Sequence, residues 1–142
     1  MSEAWADERG EAALRKAQAM ARARETESAK ARVLIEQFAR DALSAGLTPE
    51  RLTARAYNGS ARYRTQVTGW YLKRDRSLGI STDGVFYVMS TAGGLSSRFT
   101  GVTIPPGEPL LEIGRGARDG ESMPLTSALA GRLEAGNDWR PA

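Results

Sequence analysis

Residues 78–89 read LGISTDGVFYVM, and this stretch carries the clearest folding signal in the chain. Its centre, Asp83-Gly84, is typical of a type I′ hairpin turn, which needs positive φ at both central residues. The run Val85–Met89 is rich in β-branched and aromatic side chains, which favour strands. We therefore predict a hairpin in which Leu78–Thr82 is a short strand and residues 85–89 form the central strand of a sheet.

The stretch before this hairpin predicts a further strand. Tyr63, Val67 and Tyr71 alternate with polar residues, so they share one face, which suits the core. Asn58-Gly59-Ser60 indicates a turn before the strand, and a polar connection over residues 73–77 follows it. The opposite face carries a mixed set of side chains: Arg62, Arg64, Gln66, Thr68 and Trp70.

Shorter segments flank these strands. Thr48-Pro49 is typical of a helix start, which predicts a short helical turn over residues 48–51. Residues 99–104 and 110–113 have strand-like composition, and residues 114–120 form a glycine-rich loop. Because strands do not alternate with crossover helices, the sheet is expected to be antiparallel.

Helical periodicity marks both ends of the chain. Between Val33 and Leu47 apolar side chains recur every three or four residues, which predicts a core helix that begins near residues 26–28. Gly46 suits the C-cap of this helix. A terminal helix is predicted from Pro124 to Gly136, because its three leucines share one face. The apolar stripes consist of Leu34, Ile35, Phe38, Ala39, Ala42 and Leu43 in the first helix, and Leu125, Leu129 and Leu133 in the second.

The first 32 residues differ in composition from the rest of the chain. They are rich in Ala, Arg and Glu, and Leu14 and Met20 are nearly the only large apolar side chains. We expect residues 1–32 to form a solvated, mobile and partly helical arm, 33–136 a single domain, and 137–142 a tail. The predicted class is α+β: an antiparallel sheet of four or five strands, packed by one long N-terminal helix and a short C-terminal helix.

Composition excludes several chemistries. The 142 residues include no cysteine and no histidine, which rules out disulfides, thiolate nucleophiles, Ser-His-Asp arrangements and zinc sites of the ordinary type. Whether the chain is an enzyme stays open, but the missing acid–base side chain favours a non-catalytic role without cofactor or metal. The chain opens with Glu3, Asp7 and Glu8 and has no apolar run of the length that a signal peptide needs, and no run approaches the roughly 20 apolar residues of a membrane span, so we expect a cytoplasmic protein.

Five short segments carry a resemblance to a known group of proteins. The segments are LTARAY at 52–57, YRT at 63–65, GWYL at 69–72, DGVFY at 83–87 and GARDGES at 116–122. On these segments, residues 52–134 resemble a group of small uncharacterised actinobacterial proteins. The resemblance implies no activity, ligand or catalytic residue.

Positive charge is concentrated in residues 51–80, which hold seven basic residues and one acidic residue. Aromatic side chains are interleaved with them. Proteins that bind single-stranded nucleic acid use this combination, because basic side chains contact the phosphates and aromatic rings stack on the bases. The same residues suit an acidic protein partner or a solvated basic face, and these three readings stay open. The candidate contact residues are Arg62, Arg64, Trp70, Lys73, Arg74 and Arg76.

A second candidate site is the glycine-rich loop before the terminal helix. Arg115, Gly116, Arg118 and Gly120 could present guanidinium and amide groups to an anion. The loop matches no phosphate-binding motif, so a plain surface connection is the competing interpretation. Carboxylate pairs are conceivable for Asp119 with Glu121, or Asp83 with Glu112, but their spacing gives no reason for them to meet.

These observations favour a binding or regulatory module that contacts a protein through the N-terminal helix and the sheet surface. The partner would be another protein or a second copy of the chain, and no membrane contact is expected. Binding of single-stranded nucleic acid or RNA through residues 62–76 is the alternative. A small enzyme that uses carboxylates or the anion loop is the least favoured reading.

Overall fold

The computed structural model describes residues 3–94, 96–114 and 122–142. The predicted α+β class is confirmed, with a long N-terminal helix, a five-stranded and mostly antiparallel sheet, and a short C-terminal helix. Among the described residues, no helix is both long and apolar enough to cross a bilayer. The elements are α1 (Glu3–Ser44), β1 (Glu50–Ala56), β2 (Arg62–Tyr71), β3 (Leu78–Ser81), β4 (Phe86–Val88), β5 (Ser90–Thr91), α2 (Ser97–Thr100), β6 (Glu112–Ile113), β7 (Met123–Pro124) and α3 (Leu125–Ala135), followed by a 3-10 turn (Gly136–Asp138).

The main sheet has the strand order β4-β3-β2-β1-β5, and a single residue, Met89, separates its two edge strands in the chain. Phe86 pairs with Ile80 of β3, while the Arg55 amide of β1 donates to the Met89 carbonyl at 3.0 Å. The prediction of a central strand at residues 85–89 is wrong. Strand β4 is the edge strand beside β3, and β5, which follows it in the chain, is the opposite edge strand beside β1. Because consecutive residues form both edges, the sheet is curled.

Strand β1 occupies the place where the sequence predicted a helical turn at residues 48–51. Leu52, Ala54 and Ala56 are buried and alternate with exposed Arg51 and Arg55. This period of two suits a strand with one buried face, and it outweighs the helix-start signal of Thr48-Pro49. The predicted turn at Asn58-Gly59 follows, with Gly59 at φ 75°, and returns the chain antiparallel into β2.

The β3–β4 turn differs in type from the prediction. The Gly84 amide donates to the Ser81 carbonyl at 2.9 Å, and Gly84 has φ 84°. Asp83 does not have a positive φ, so the turn is not type I′. The Asp83 carboxylate instead accepts a hydrogen bond from the Ser81 hydroxyl, and the loop has three residues with glycine in the left-handed position.

Two strands predicted after the sheet are shorter or absent. Residues 97–100 form helix α2, and between residues 99 and 104 only Val102 makes a β-bridge, to Thr65. Gln66 takes the place of a neighbouring strand, because its side-chain amide pairs with both backbone groups of Ile104. Of residues 110–113, Glu112 and Ile113 form β6, which pairs with β7.

Helix α1 runs without a break from Glu3 to Ser44, so the predicted helix start at residues 26–28 is wrong. The described part of residues 1–32 is fully rather than partly helical. Its C-terminus is as predicted, with Gly46 at φ 79°. The Gly46 amide donates to the Leu43 carbonyl and the Leu47 amide to the Ala42 carbonyl, which is a Schellman motif.

The core has two parts, one on each face of the curled sheet. The buried stripe of α1 packs with α3 and the outer face of the sheet, although Leu43 of the predicted stripe is exposed. Inside the curl, Leu52 and Met89 lie against Gly79, where a Cβ would stand 2.6 Å from Leu52 Cδ1. The first cluster includes Ala31, Ile35, Phe38, Ala42, Trp70, Ile80, Leu125 and Leu129; the second includes Leu52, Ala54, Val67, Tyr71, Met89 and Ile104.

Candidate interaction surfaces

Trp70 is not available as a stacking platform. It is only 1% exposed, its ring packs edge-on against Phe38 at 5.8 Å, and its indole N–H donates to the Leu47 carbonyl. Alternation along β2 does put Trp70 on the same face as Arg62 and Arg64. Helix α1 covers the end of that face that holds Trp70, so this residue belongs to the core.

The basic candidates form two groups at opposite ends of β2, which is about 30 Å long at the usual strand rise. Arg62 and Arg64 lie at its start, and Lys73, Arg74 and Arg76 lie in the turn after its end. The structure therefore places the five basic candidates in two separate groups, and the sixth predicted residue, Trp70, in the core, rather than all six on one continuous face.

The second group is largely occupied by local contacts. Lys73 Nζ lies 3.7 Å from Asp75 Oδ2, and the Arg74 guanidinium donates to the Arg140 carbonyl. Arg76 has φ 62°, a conformation that favours glycine or asparagine. Burial acts to raise the pKa of Asp75, but hydrogen bonds from Ser77 and the charge of Lys73 outweigh it and hold that pKa below its usual value.

The outer surface of the β1–β2 hairpin carries Arg51, Arg55, Arg62 and Arg64, and we call these four residues the hairpin face. Arg55 and Arg62 are direct cross-strand partners, a like-charge pair that costs stability in a sheet. Arg62 donates to both the hydroxyl and the carbonyl of Thr53, at 2.8 and 2.7 Å. Within the described part of the chain, no carboxylate lies within ion-pair distance of these four guanidinium groups.

The candidates in the glycine-rich loop lie outside the described residues. This applies to Arg115, Gly116, Arg118 and Gly120, and to the conceivable carboxylate pair of Asp119 with Glu121. Over the described ranges no cluster of acidic residues is arranged to hold a metal ion.

Sequence analysis missed a buried arginine on α3. Arg132 Nε donates to the Tyr71 carbonyl at 3.0 Å and Nη1 to the Gly136 carbonyl at 2.9 Å, while its guanidinium stacks 4.6 Å from the Trp139 ring centre. Burial lowers the pKa of Arg132, and the charge of Glu50 acts in the opposite direction. The one sequence signal for Arg132 is its spacing: it lies three residues after Leu129, which belongs to the leucine stripe of α3.

The predicted tail, residues 137–142, packs against the domain. The ring of Trp139 stacks on Tyr71 at 6.3 Å, and the Ala142 amide donates to the Arg74 carbonyl at 2.8 Å. Tyr71, Trp139 and Arg132 border a cleft of about 660 Å³ beside the start of β1. Three of the arginines that line it, Arg51, Arg132 and Arg140, donate hydrogen bonds to backbone carbonyls, so the cleft is first of all a structural joint.

The largest unpartnered feature is the first part of α1. Every residue from Glu3 to Thr26 is exposed, and the first buried side chain is Ser28. We call residues 3–26 the arm; at the usual helical rise they extend about 36 Å. Trp5, Leu14 and Met20 are all more than half exposed. The arm joins the domain firmly, because Glu27 accepts a hydrogen bond from the Leu111 amide and Ser28 donates to Glu108.

The arm and the hairpin face are therefore the two surfaces from which a function can be inferred. The resemblance of residues 52–134 to actinobacterial proteins stays a prediction. No protein-family model, curated protein or solved structure matches the chain.

Proposed function

We propose that this protein is a non-catalytic binding or regulatory module that engages a protein partner through the arm and the adjoining sheet surface. The observation that supports this most is the change at Glu27. Every described residue of α1 before Glu27 is exposed, whereas after it the same helix contributes Ala31, Ile35, Phe38, Ala39 and Ala42 to the core.

A helix of this kind gains little stability by itself. Most helices in proteins are held by packing of an apolar face, and an exposed helix relies on propensity and side-chain pairs. In the arm the ion pair of Arg15 with Glu11 spans 3.9 Å, and Arg9 lies 4.5 Å from the Trp5 ring centre. Exposed contacts of this size are each worth about 0.2–1 kcal/mol. A partner that covers the arm would supply the missing packing.

The junction with the domain suits a rigid contact element. Arg32 pairs with Glu25 at 2.8 Å across the junction, and the contacts of Glu27 and Ser28 hold the next turn. The arm is thus the continuation of a core helix rather than a linker, which lowers the ordering cost that a disordered binding segment would pay.

The test is deletion of residues 1–24, which ends before Glu25 and so preserves the junction contacts. Full-length and shortened chains serve as bait for capture of binding partners, and both are melted in parallel. We expect the shortened chain to lose its partner and keep the melting transition of the domain. A full-length chain with Arg74→Glu is the matched control, because Arg74 lies in the turn after β2 and the change alters neither the arm nor the hairpin face. Equal capture by the shortened chain contradicts the proposal.

Nucleic-acid binding at the hairpin face is the second candidate. Its support is the like-charge pair of Arg55 and Arg62, since a bound phosphate would relieve this repulsion. Tyr57, at the tip of the same hairpin, is 76% exposed and could stack on a base. With single-stranded RNA we expect affinity to fall as salt rises, and Arg55→Glu with Arg64→Glu to weaken it far more than Arg74→Glu. Affinity that ignores salt would eliminate this candidate.

A further inference from the structure

We propose that the partner of the arm is a second copy of this chain, bound antiparallel along the arm. This inference rests on the proposed function, because it names the occupant of the same exposed helix. Its support lies in residues 3–24 of the arm, whose midpoint falls between Ala13 and Leu14: the two halves carry opposite charge, and one helix face has mostly small side chains at matching distances from the midpoint.

Charge divides the arm into two halves. Residues 3–13 hold four acidic side chains and one basic side chain, whereas residues 14–24 hold four basic side chains and no acidic one. Glu25, the next residue of the arm, is paired with Arg32. Two antiparallel copies place the acidic half of each against the basic half of the other. Two parallel copies would place like charges side by side, so electrostatics selects the antiparallel orientation.

One face of the arm continues the face that packs on the domain. From the buried Ser28 and Ala31, steps of three or four residues lead back along the helix to small side chains. Small residues let two helix axes approach to about 8 Å, the short end of the usual range. The face consists of Glu3, Ala6, Gly10, Ala13, Leu14, Ala17, Ala21 and Arg24.

This face is complementary to itself in the antiparallel direction. When each residue is paired with the one equally far from the midpoint, small side chains meet small side chains on either side of the centre, Ala13 meets Leu14 at the centre, and the two ends carry opposite charges. This is the symmetry of an isologous two-fold contact. The pairs are Glu3 with Arg24, Ala6 with Ala21, Gly10 with Ala17, and Ala13 with Leu14.

The length of the arm suits full overlap. In this register Glu3 of the second copy reaches Arg24, three residues before Glu27, where contacts with the domain begin. The described part of the second helix, from its Glu3 onward, therefore stays clear of the domain contacts at Glu27. The two domains would lie at opposite ends of the helix pair.

Single cysteines test the orientation cleanly, because the chain has none of its own. Ala13→Cys lies at the midpoint and should form a disulfide-linked dimer by itself under mild oxidation. Ala6→Cys should not, since its two copies lie about 22 Å apart in the antiparallel pair, far beyond disulfide reach. Ala6→Cys mixed with Ala21→Cys should cross-link. Ala12→Cys, on the far side of the helix, is the control for random collision.

The outcomes separate the alternatives. Cross-linking of Ala6→Cys with itself would show a parallel pair and overturn the inference, and so would the same yield for Ala12→Cys as for Ala13→Cys. Charge exchange gives a second readout by sedimentation equilibrium. Glu3→Arg or Arg24→Glu alone should raise the dimer dissociation constant about threefold to thirtyfold, since each change affects two symmetric pairs. The double variant should restore it to within about threefold.

Failure of this inference can be told apart from failure of the proposed function. If the purified full-length chain stays monomeric but the chain lacking residues 1–24 loses capture of another protein, the second-copy inference is wrong and the binding role of the arm stands. If neither self-association nor capture depends on residues 1–24, both are wrong.

Discussion

The indole nitrogen of Trp70 donates a hydrogen bond to the backbone carbonyl of Leu47 at 3.2 Å. Leu47 also uses its amide, which donates to the Ala42 carbonyl and closes the end of α1. One residue thereby links the end of the long helix to the end of β2. This link helps to fix the direction of α1, and with it the direction in which the arm leaves the domain.

Replacing Trp70 by Phe tests this link. Trp70→Phe keeps an aromatic ring beside Phe38 but leaves the buried Leu47 carbonyl without its donor, which should lower the free energy of unfolding by about 1–3 kcal/mol. Urea denaturation followed by circular dichroism measures the change. Trp5→Phe, on the exposed arm, is the matched control and should change it by less than about 0.5 kcal/mol. Equal effects of the two variants would show that the bond contributes nothing.

The side-chain amide of Gln66 allows a second test, of its pairing with the backbone of Ile104. It donates to the Ile104 carbonyl at 2.5 Å and accepts from the Ile104 amide at 2.9 Å. Gln66→Glu keeps the shape but removes the donor and sets a carboxylate against a carbonyl. We expect Gln66→Glu to lower the free energy of unfolding by about 1–3 kcal/mol. Gln66→Leu removes the acceptor as well, so it should speed hydrogen exchange at the Ile104 amide. Thr68→Ala, an exposed neighbour on the same strand, should leave the exchange rate at Ile104 unchanged; equally slow exchange in Gln66→Leu would refute the pairing.

Arg132 is expected to act as a structural clamp. Lysine cannot donate to the Tyr71 and Gly136 carbonyls from one planar group, nor stack as well on Trp139. Arg132→Lys should therefore lower the free energy of unfolding by about 1–3 kcal/mol and change the fluorescence of Trp139. Arg140→Lys, in the exposed C-terminal segment, is the control. If both variants unfold at the same urea concentration as the parent, the clamp is absent.

Asp75 gives a pH dependence with a defined sign. Its pKa is lowered in the folded protein, so the carboxylate stabilises the fold above the unfolded pKa of about 3.9, and this contribution is lost as the pH falls through the folded value. The difference in stability between the parent and Asp75→Asn should thus be largest near neutral pH and shrink below about pH 4. A difference that grows on acidification would mean that the pKa is raised instead. Asp41→Asn, on the exposed face of α1, serves for comparison.

Much of the fold could be predicted from local pattern. The end of α1 at Gly46, the leucine face of α3 and the buried face of β2 each follow from residues close together in sequence. Strand β1 was missed because its buried side chains are mostly alanines, which alternate less visibly than larger ones, and Pro49 precedes it. The start of α1 was misplaced because Thr26 and Ser28 resemble helix caps, whereas the Ser28 hydroxyl bonds Glu108, 80 residues away.

The candidate surfaces depend on tertiary structure, so they could not be predicted from the local sequence pattern. Alternation along β2 tells which residues share a face, but only the path of α1 decides that Trp70 is covered while Arg64 is exposed. The hairpin face needs the register of β1 against β2, which pairs Arg55 with Arg62. In the same way, composition predicts a helical arm, but only the packing shows that the domain contacts of α1 begin at Glu27, just after the arm.

Hydrogen exchange of the arm amides, residues 5–24, tests the central claim most directly, namely that this segment is a contact surface rather than part of the folded core. In dilute full-length protein these amides should exchange fast, since little packing holds the helix. When partner is supplied, either as a cell extract or as a higher concentration of the chain itself, their exchange should slow while that of β2 stays constant. Unchanged exchange in the arm under both conditions, with any new protection confined to the domain, would contradict the account.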